Sequence, residues 1–172
     1  MKPKLIIING PAGVGKNTIA ELYKEDHPRS LIVDIDEVRR TIPNYRENRE
    51  QSYKEACDLV YEQTKKHLLN GGDVVIPNII KKVEVFNSLE KITSECNADF
   101  YEFVLWTTKE DAIRRAIKRG FRPNSLLQED KLSGMYDDLQ EVIKNRENTI
   151  KIVSIEGQPE EAYVNLVKFR GA

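Results

Sequence analysis

Residues 5–18 read Leu-Ile-Ile-Ile-Asn-Gly-Pro-Ala-Gly-Val-Gly-Lys-Asn-Thr, and no other stretch limits the possible folds as tightly. Leu5 to Ile8 make a short apolar, β-branched run, the mark of a strand buried on both faces. Gly10, Gly15 and Lys16 then fit G-x-x-x-x-G-K. Glycines at 10, 13 and 15 permit backbone angles and close approaches that a Cβ would block. Successive N–H groups, those of Ala12 and Val14 among them, can then turn inward and cradle phosphate oxygens. A helix beginning near Lys16 adds its positive N-terminal end, and Lys16 adds a full charge toward the β- and γ-phosphates. Ile19, Ala20, Leu22 and Tyr23 supply the apolar stripe of that helix. The pattern predicts a nucleotide site over Gly10, Ala12, Gly13, Val14, Gly15, Lys16, Asn17 and Thr18, with ATP as its ligand.

Asn17 departs from the motif. It stands where Ser or Thr usually offers a hydroxyl to Mg²⁺. An amide oxygen is a weaker and bulkier ligand in a tight octahedral shell. Thr18 follows and is a candidate phosphate contact. Position 17 resembles that of adenylate kinases, which read G-K-G-T and also lack a hydroxyl here, so catalysis remains compatible with the change. Three explanations stay open: metal held through water, an engineered substitution, or a crippled enzyme.

Composition bounds the rest. A chain of 172 residues is long enough for one domain with a full core. A net charge of −1 provides no global field for nucleic acid or membrane, so any basic site must be local. Cys57 and Cys96 have neither C-x-x-C nor metal-type spacing, and buried free thiols in a reducing compartment are expected. The sequence shows no signal peptide and no apolar 18-mer, so the expectation is a cytoplasmic protein without membrane contact.

Strands and helices alternate along the chain, which implies a parallel sheet covered on both faces. Strands are expected at 5–8, 30–33, 73–76, 100–106 and 149–155. A helix is expected from residue 49 to about Asn70, where Tyr53, Ala56, Cys57, Val60, Tyr61, Thr64 and Leu68 recur at three and four. His67, beside that stripe, reads as a packing residue. Further helices follow around Phe86, around Ala112, around Leu139 and at 160–169. Pro123-Asn124-Ser125 break the chain in a loop at 121–130.

Open parallel sheets bind ligands beyond the carboxyl ends of their strands. Asp34 and Asp36 follow the second strand and so reach the same end as the phosphate loop. An acid there can accept the proton of an attacking hydroxyl, and Arg39 can hold an anionic group of the same substrate. The plainer reading is a solvated helix start with Asp36 as N-cap. The arginine-rich helix after strand four also has a plain reading, since six cations in residues 109–122 can simply be solvated. Arg115 and Arg119, however, are spaced i, i+4 and share a face.

Five strands, the phosphate loop after the first and the arginine-rich helix after the fourth resemble the nucleoside-monophosphate-kinase-like group of P-loop kinases. The resemblance spans nearly the whole chain. It implies a three-layer α/β/α P-loop NTPase fold, a five-stranded parallel sheet in the order 2-3-1-4-5, and one kinase domain over 1–172 with a mobile lid at about 109–130. The string Asp34-x-Asp36-x-x-Arg39 is similar to one in adenylylsulfate kinases and to the D-x-x-R of polynucleotide 5′-kinases. By that resemblance Asp36 is the general base and Arg39 the acceptor clamp. Asp34 resembles the first aspartate of shikimate kinases, which helps to order Mg²⁺ water, so Asn17 and Asp34 are the candidate metal residues. Arg115 and Arg119, with Arg122 as a third candidate, correspond to the lid arginines of polynucleotide kinases, which contact ATP phosphates. Lys16, Asp36, Arg115 and Arg119 form the expected catalytic set. Asn78, at the end of strand three, is a candidate substrate contact, and the Glu156–Pro159 turn lies where relatives cradle adenine. Trp106 reads as core.

The expected activity is ATP- and Mg²⁺-dependent transfer of the γ-phosphate to a hydroxyl of a small molecule, nucleotide or polynucleotide. A nucleic-acid end is not favoured by the net charge. The alternative from another class is a nucleotide-binding module with weak or no transfer activity, for which Asn17 is the evidence. The acceptor, the base preference and the oligomeric state are not encoded legibly.

Overall fold

The computed structural model describes residues 2–121 and 126–169. Five strands form one parallel sheet: β1 (Lys4–Asn9), β2 (Leu31–Ile32), β3 (Val74–Ile76), β4 (Asp99–Trp106) and β5 (Ile150–Val153), in the order β2-β3-β1-β4-β5. Seven α-helices alternate with them among the described residues: α1 (Lys16–Asp26), α2 (Ile35–Arg40), α3 (Arg49–Leu69), α4 (Val83–Glu95), α5 (Lys109–Arg119), α6 (Leu132–Lys144) and α7 (Pro159–Phe169). The expected α/β architecture and strand order are therefore those of the molecule. The fold is the P-loop NTPase fold.

Period-two alternation in β1 builds both cores. Leu5 and Ile7 pack with Ala56, Val60, Phe86 and Leu89 from α3 and α4, whereas Ile6 and Ile8 pack with Ile19, Tyr23 and Leu166 from α1 and α7. All four side chains are fully buried, which is why this strand reads as a continuous apolar run rather than an alternating one. Register in the centre is set by Leu5 opposite both Val74 of β3 and Phe100 of β4. The parallel register brings the carboxyl ends of β1 and β3 to one edge. Asn9 bridges them: its Oδ1 accepts from the N–H of Gly10 (2.8 Å) and of Ile80 (3.1 Å), and its Nδ2 donates to the Ile80 carbonyl (3.0 Å).

Elements at the edge of the sheet are shorter than the sequence suggests. β2 spans Leu31–Ile32 instead of 30–33, and β5 ends at Val153, with Ser154 and Ile155 already in the connection to α7. His67 takes the packing role expected of it. Its Nε2 lies 2.9 Å from the Arg29 carbonyl, and its ring fills the space that a Cβ on Gly72 would need. Trp106 stacks at a tilt on Tyr136 (4.7 Å between centroids) beside the Val104–Leu139–Ile143 cluster. Both cysteines are free and buried. No helix among the described residues is long and apolar enough to cross a membrane.

One buried charge went unnoticed in the sequence. Glu102, 3% exposed on β4, accepts from Arg146 Nε (2.7 Å) and from the Thr149 hydroxyl (2.6 Å). Arg146 also reaches Glu90 (2.6 Å) and lies over the Phe86 ring at 4.0 Å. Removing one partner of such a pair strands a charge in low dielectric. Arg146→Met is therefore expected to lower stability by about 3–5 kcal/mol, measured by urea unfolding. A loss no larger than that of an exposed ion pair would show that Glu102 does not depend on Arg146 in the folded protein.

Candidate functional site

The loop from Gly10 to Gly15 is shaped by close contacts on two sides. Gly10 has φ 142°, and a Cβ there would lie 2.4 Å from the Leu105 carbonyl oxygen. At Gly13, φ 87°, a Cβ would lie 2.8 Å from the Ala112 carbonyl oxygen and from the Ala116 nitrogen. The loop thus presses backbone to backbone on β4 and on α5, and only glycine fits. α1 starts directly after Gly15, so the free N–H groups of its first turn face the cleft beside Lys16, Asn17 and Thr18.

Lys16 is folded back on this loop. Its Nζ donates to the carbonyls of Gly10 (2.9 Å) and Pro11 (2.8 Å), and only 9% of the residue is exposed. Burial, helped by the positive charge of Arg119, pushes its ammonium down to about 7 against the pull of Asp34 and Asp36.

Across the cleft, Asp34 and not Asp36 caps α2. Asp34 has an extended backbone, and its Oδ1 accepts from the N–H groups of Asp36 (2.8 Å) and Glu37 (3.3 Å). Asn78 completes the arrangement. Its Nδ2 donates to Asp34 Oδ1 (3.0 Å), and its Oδ1 accepts from the Ile35 N–H (2.8 Å). Asn78 is 5% exposed, and these bonds hold the end of β3 against the start of α2. Asp36 therefore falls in the first helical turn, where its carboxylate lines a 110 Å³ recess with Lys16, Asn17, Asp34, Arg40 and Arg119. The recess is concave, so Asp36 meets solvent yet is largely surrounded by protein. That desolvation, with the neighbouring Asp34 charge, pushes its carboxyl above the usual range, opposed by Arg39, Arg40 and Lys16.

The structure does not bring the Arg39 guanidinium into this recess. Its Nε donates to Ser52 Oγ (3.0 Å), an Nη donates to the Arg49 carbonyl, and the group lies 5.6 Å from the centre of the Tyr53 ring. Successive helix positions point about 100° apart. The face of α2 that packs on α3 takes Arg39, and Arg40 turns to the recess while pairing with Glu37 at 2.7 Å. Arg39 still acts on Asp36 through its charge.

The larger cleft, about 770 Å³, runs from the phosphate loop to the β5–α7 connection. Arg115 and Arg119 both border it but differ in state. Arg119 is exposed and lines the recess as well. Arg115 is pinned: its guanidinium donates to the Ser154 hydroxyl and carbonyl (3.1 Å each) and pairs with Asp111. The 156–159 turn forms the far wall of the cleft. Glu156 is held there by Arg114 (2.6 Å) and Lys118 (3.0 Å) of α5, which push its carboxyl down to about 2. Arg122 lies outside the described residues.

Sequence reasoning missed Ser154, Arg40 and Asn9 at this site. Ser154 and Asn9 are polar residues at or just beyond strand ends, the same signal that singled out Asn78. Nothing in the sequence ranks Arg40 above Arg39.

The donor set is compatible with Mg²⁺. Among the described residues no three His, Cys, Asp or Glu side chains cluster as a metal cage. Mg²⁺ normally takes one or two carboxylates plus phosphate and water oxygens. Asn17, Asp34 and Asp36 border one recess and offer hard oxygens, although the α2 cap and Asn78 already load one oxygen of Asp34.

Several solved structures share the fold. A protein of the Pnkp1/Rnl/Hen1 RNA repair complex aligns with a TM-score of 0.68 at 18% identity over 85% of this chain and 47% of its own. This chain thus spans about half the length of that neighbour. The tunicamycin resistance protein of Deinococcus radiodurans aligns at 0.66, with 17% identity over 98% of this chain and 96% of its own. A gluconokinase from Sinorhizobium meliloti 1021 aligns at 0.60, with 16% identity over 99% of both chains. A search of curated proteins returns no match. The model of one family, the AAA domain, matches residues 5–142, most of the chain and all of the cleft except the β5–α7 wall. The chain belongs to the AAA domain family, in the fold that it shares with P-loop kinases.

Proposed function

We propose that this protein is an ATP-dependent kinase that moves the γ-phosphate to a hydroxyl of a small-molecule or nucleotide acceptor. The observation that carries the reading is the Asp36 carboxylate, raised in pKa and sharing one recess with Lys16, Asn17 and Arg119. A phosphate acceptor needs no base, whereas a hydroxyl does. The acceptor O–H proton passes to Asp36, the oxygen bonds to the γ-phosphorus, and the bond to the β-phosphate oxygen breaks to release ADP. Lys16 leaves the carbonyls of Gly10 and Pro11 for the β- and γ-phosphates. Arg119 meets the charge that spreads over the γ-oxygens. Arg115 enters the same set from its anchored position, and Thr18 contacts phosphate from the first turn of α1. In this reading α5, the first part of the lid expected at about 109–130, keeps its contact with Gly13; residues 122–125 of that lid lie outside the described residues. Mg²⁺, held by Asn17, Asp34, phosphates and water, would neutralise phosphate charge. The 156–159 turn receives the base.

The small recess favours a compact acceptor, as does the similarity of fold to a gluconokinase. The RNA repair neighbour keeps a polynucleotide 5′-hydroxyl within the set to be tested. The test is a screen of sugars, polyols, nucleosides and 5′-hydroxyl oligonucleotides with γ-labelled ATP. Transfer that disappears in Asp36→Asn supports the reading. Tight ATP binding with no transfer to any acceptor supports the second reading, a nucleotide-binding module, which Asn17 favours.

Asn17 gives a separate prediction. A serine hydroxyl fits the compact Mg²⁺ shell at roughly 2.0–2.1 Å better than a carboxamide on a longer arm. Asn17→Ser is expected to lower the Mg²⁺ concentration for half-maximal activity and to raise turnover, read by Mg²⁺ titration with nucleotide in excess. Superimposable titrations would place the metal on phosphates, water and Asp34 alone.

A further inference from the structure

Ser154 is 6% exposed at the end of β5 and joins three parts of the chain. Its hydroxyl donates to the Val14 carbonyl of the phosphate loop (2.9 Å) and accepts from Arg115 Nη1 (3.1 Å) of α5. Its own carbonyl accepts from Arg115 Nη2 (3.1 Å). Asp111 pairs with the same guanidinium and is itself held by the Thr107 hydroxyl (2.8 Å). A phosphate cradle works only if N–H groups face inward and carbonyls face away. The Ser154 hydroxyl fastens one of those carbonyls outside the cradle. Arg115 has a nine-tenths buried side chain, and its Nε has no partner among the described residues. Its fork is spent on Ser154 and Asp111, so it sits preset at the cleft wall instead of swinging in with the nucleotide.

We propose that Ser154 is a positioning residue of the phosphate cradle, acting through the Val14 carbonyl and the Arg115 guanidinium as one unit. The inference rests on the nucleotide-site reading above. Its position just after β5, next to the proposed base-binding turn, would otherwise assign Ser154 to the base end of the cleft. The two assignments differ in what the residue should affect. A cradle residue changes affinity for any polyphosphate, whereas a base-end residue changes affinity only for a ligand with a base.

The experiment compares ATP with inorganic tripolyphosphate by calorimetry on the parent protein, Ser154→Ala, Arg115→Lys and the double variant. Lysine keeps the charge at 115 but cannot reproduce the fork. Ser154→Ala is expected to weaken ATP and tripolyphosphate by the same factor, about 2- to 10-fold, the worth of a hydrogen bond. Arg115→Lys should do likewise, and the double variant should lose less than the product of the two, because coupled residues are not additive. Loss for ATP alone overturns the inference, as do multiplicative losses or unchanged affinities. If Ser154→Ala fails to fold, Ser154→Thr replaces it: the hydroxyl is retained, and affinity for both ligands should match the parent, while a loss for either overturns the proposal. A parent protein that binds neither ligand removes the nucleotide-site reading itself, a result distinct from all of these.

Discussion

Asp36→Asn is expected to lower turnover by about 10²–10⁴-fold, the usual worth of a general base, while nucleotide affinity is retained. The amide keeps the size of the side chain and cannot take the acceptor proton. The cap of α2 is not at risk, because Asp34 receives the N–H groups of residues 36 and 37. Stability should therefore change little, and a fall in rate reports chemistry. The pH profile adds a check. Asp36 titrates above the ordinary carboxylate range, so the reactive, ionised form appears as pH rises through that elevated value. The parent enzyme should lose activity on acidification at a pH where an ordinary aspartate is still ionised, and the residual activity of the variant should not follow the same titration. Full turnover of Asp36→Asn with saturating acceptor would remove Asp36 from the mechanism.

Lys16→Ala is expected to weaken ATP binding by about 10- to 150-fold, the range for a charge-assisted hydrogen bond of roughly 1.5–3 kcal/mol. The fold should survive. Among the described residues Lys16 Nζ binds only two loop carbonyls, and its ammonium is already pushed down to about 7. The sign of that shift gives a second observable. An unfolded lysine titrates near 10.5, so between about pH 7 and 10.5 the unfolded chain binds more protons than the folded one. Through this window Lys16 makes stability rise with pH, and the alanine variant should lack that contribution. Nucleotide reverses the balance: phosphate charge favours the ammonium, so binding above pH 7 draws in a proton and weakens as pH climbs. Calorimetry of ADP in two buffers of different ionisation enthalpy measures the uptake. Equal uptake by parent and Lys16→Ala would assign the proton to another group.

The phosphate loop could be read from the sequence because its determinants are local. Gly10, Gly13, Gly15 and Lys16 lie within seven consecutive positions, and the apolar run before them reads as a strand buried on both faces. Alternating strands and helices gave the layers in the same way, since the buried stripe of α3 and the run of β1 are patterns of period 3.6 and continuous burial. Strand order had to come from resemblance, because pairing of β1 with both β3 and β4 leaves no periodic trace.

Around the recess, chain order alone brought Asp34, Asp36 and Asn78 to one end of the sheet, but tertiary contacts decided which side chains face it. Asp34 and Asp36 are both credible caps by type. The bond from Asn78, brought in from β3, goes to Asp34, which takes the cap and leaves Asp36 facing the recess. Arg39 and Arg40 are neighbours of equal charge. Packing of α2 on Ser52 and Tyr53 of α3 turns the first away and leaves the second at the recess. Arg115 and Arg119 share a face by spacing alone, yet Ser154, 39 residues further along the chain, fastens one and not the other. The sequence by itself determined the fold class, the phosphate loop and the end of the sheet where the cleft lies, all of which rest on short-range pattern. Only the tertiary structure decided which of two similar side chains reaches the cleft, because that choice depends on hydrogen bonds between residues that are neighbours only after the sheet has formed.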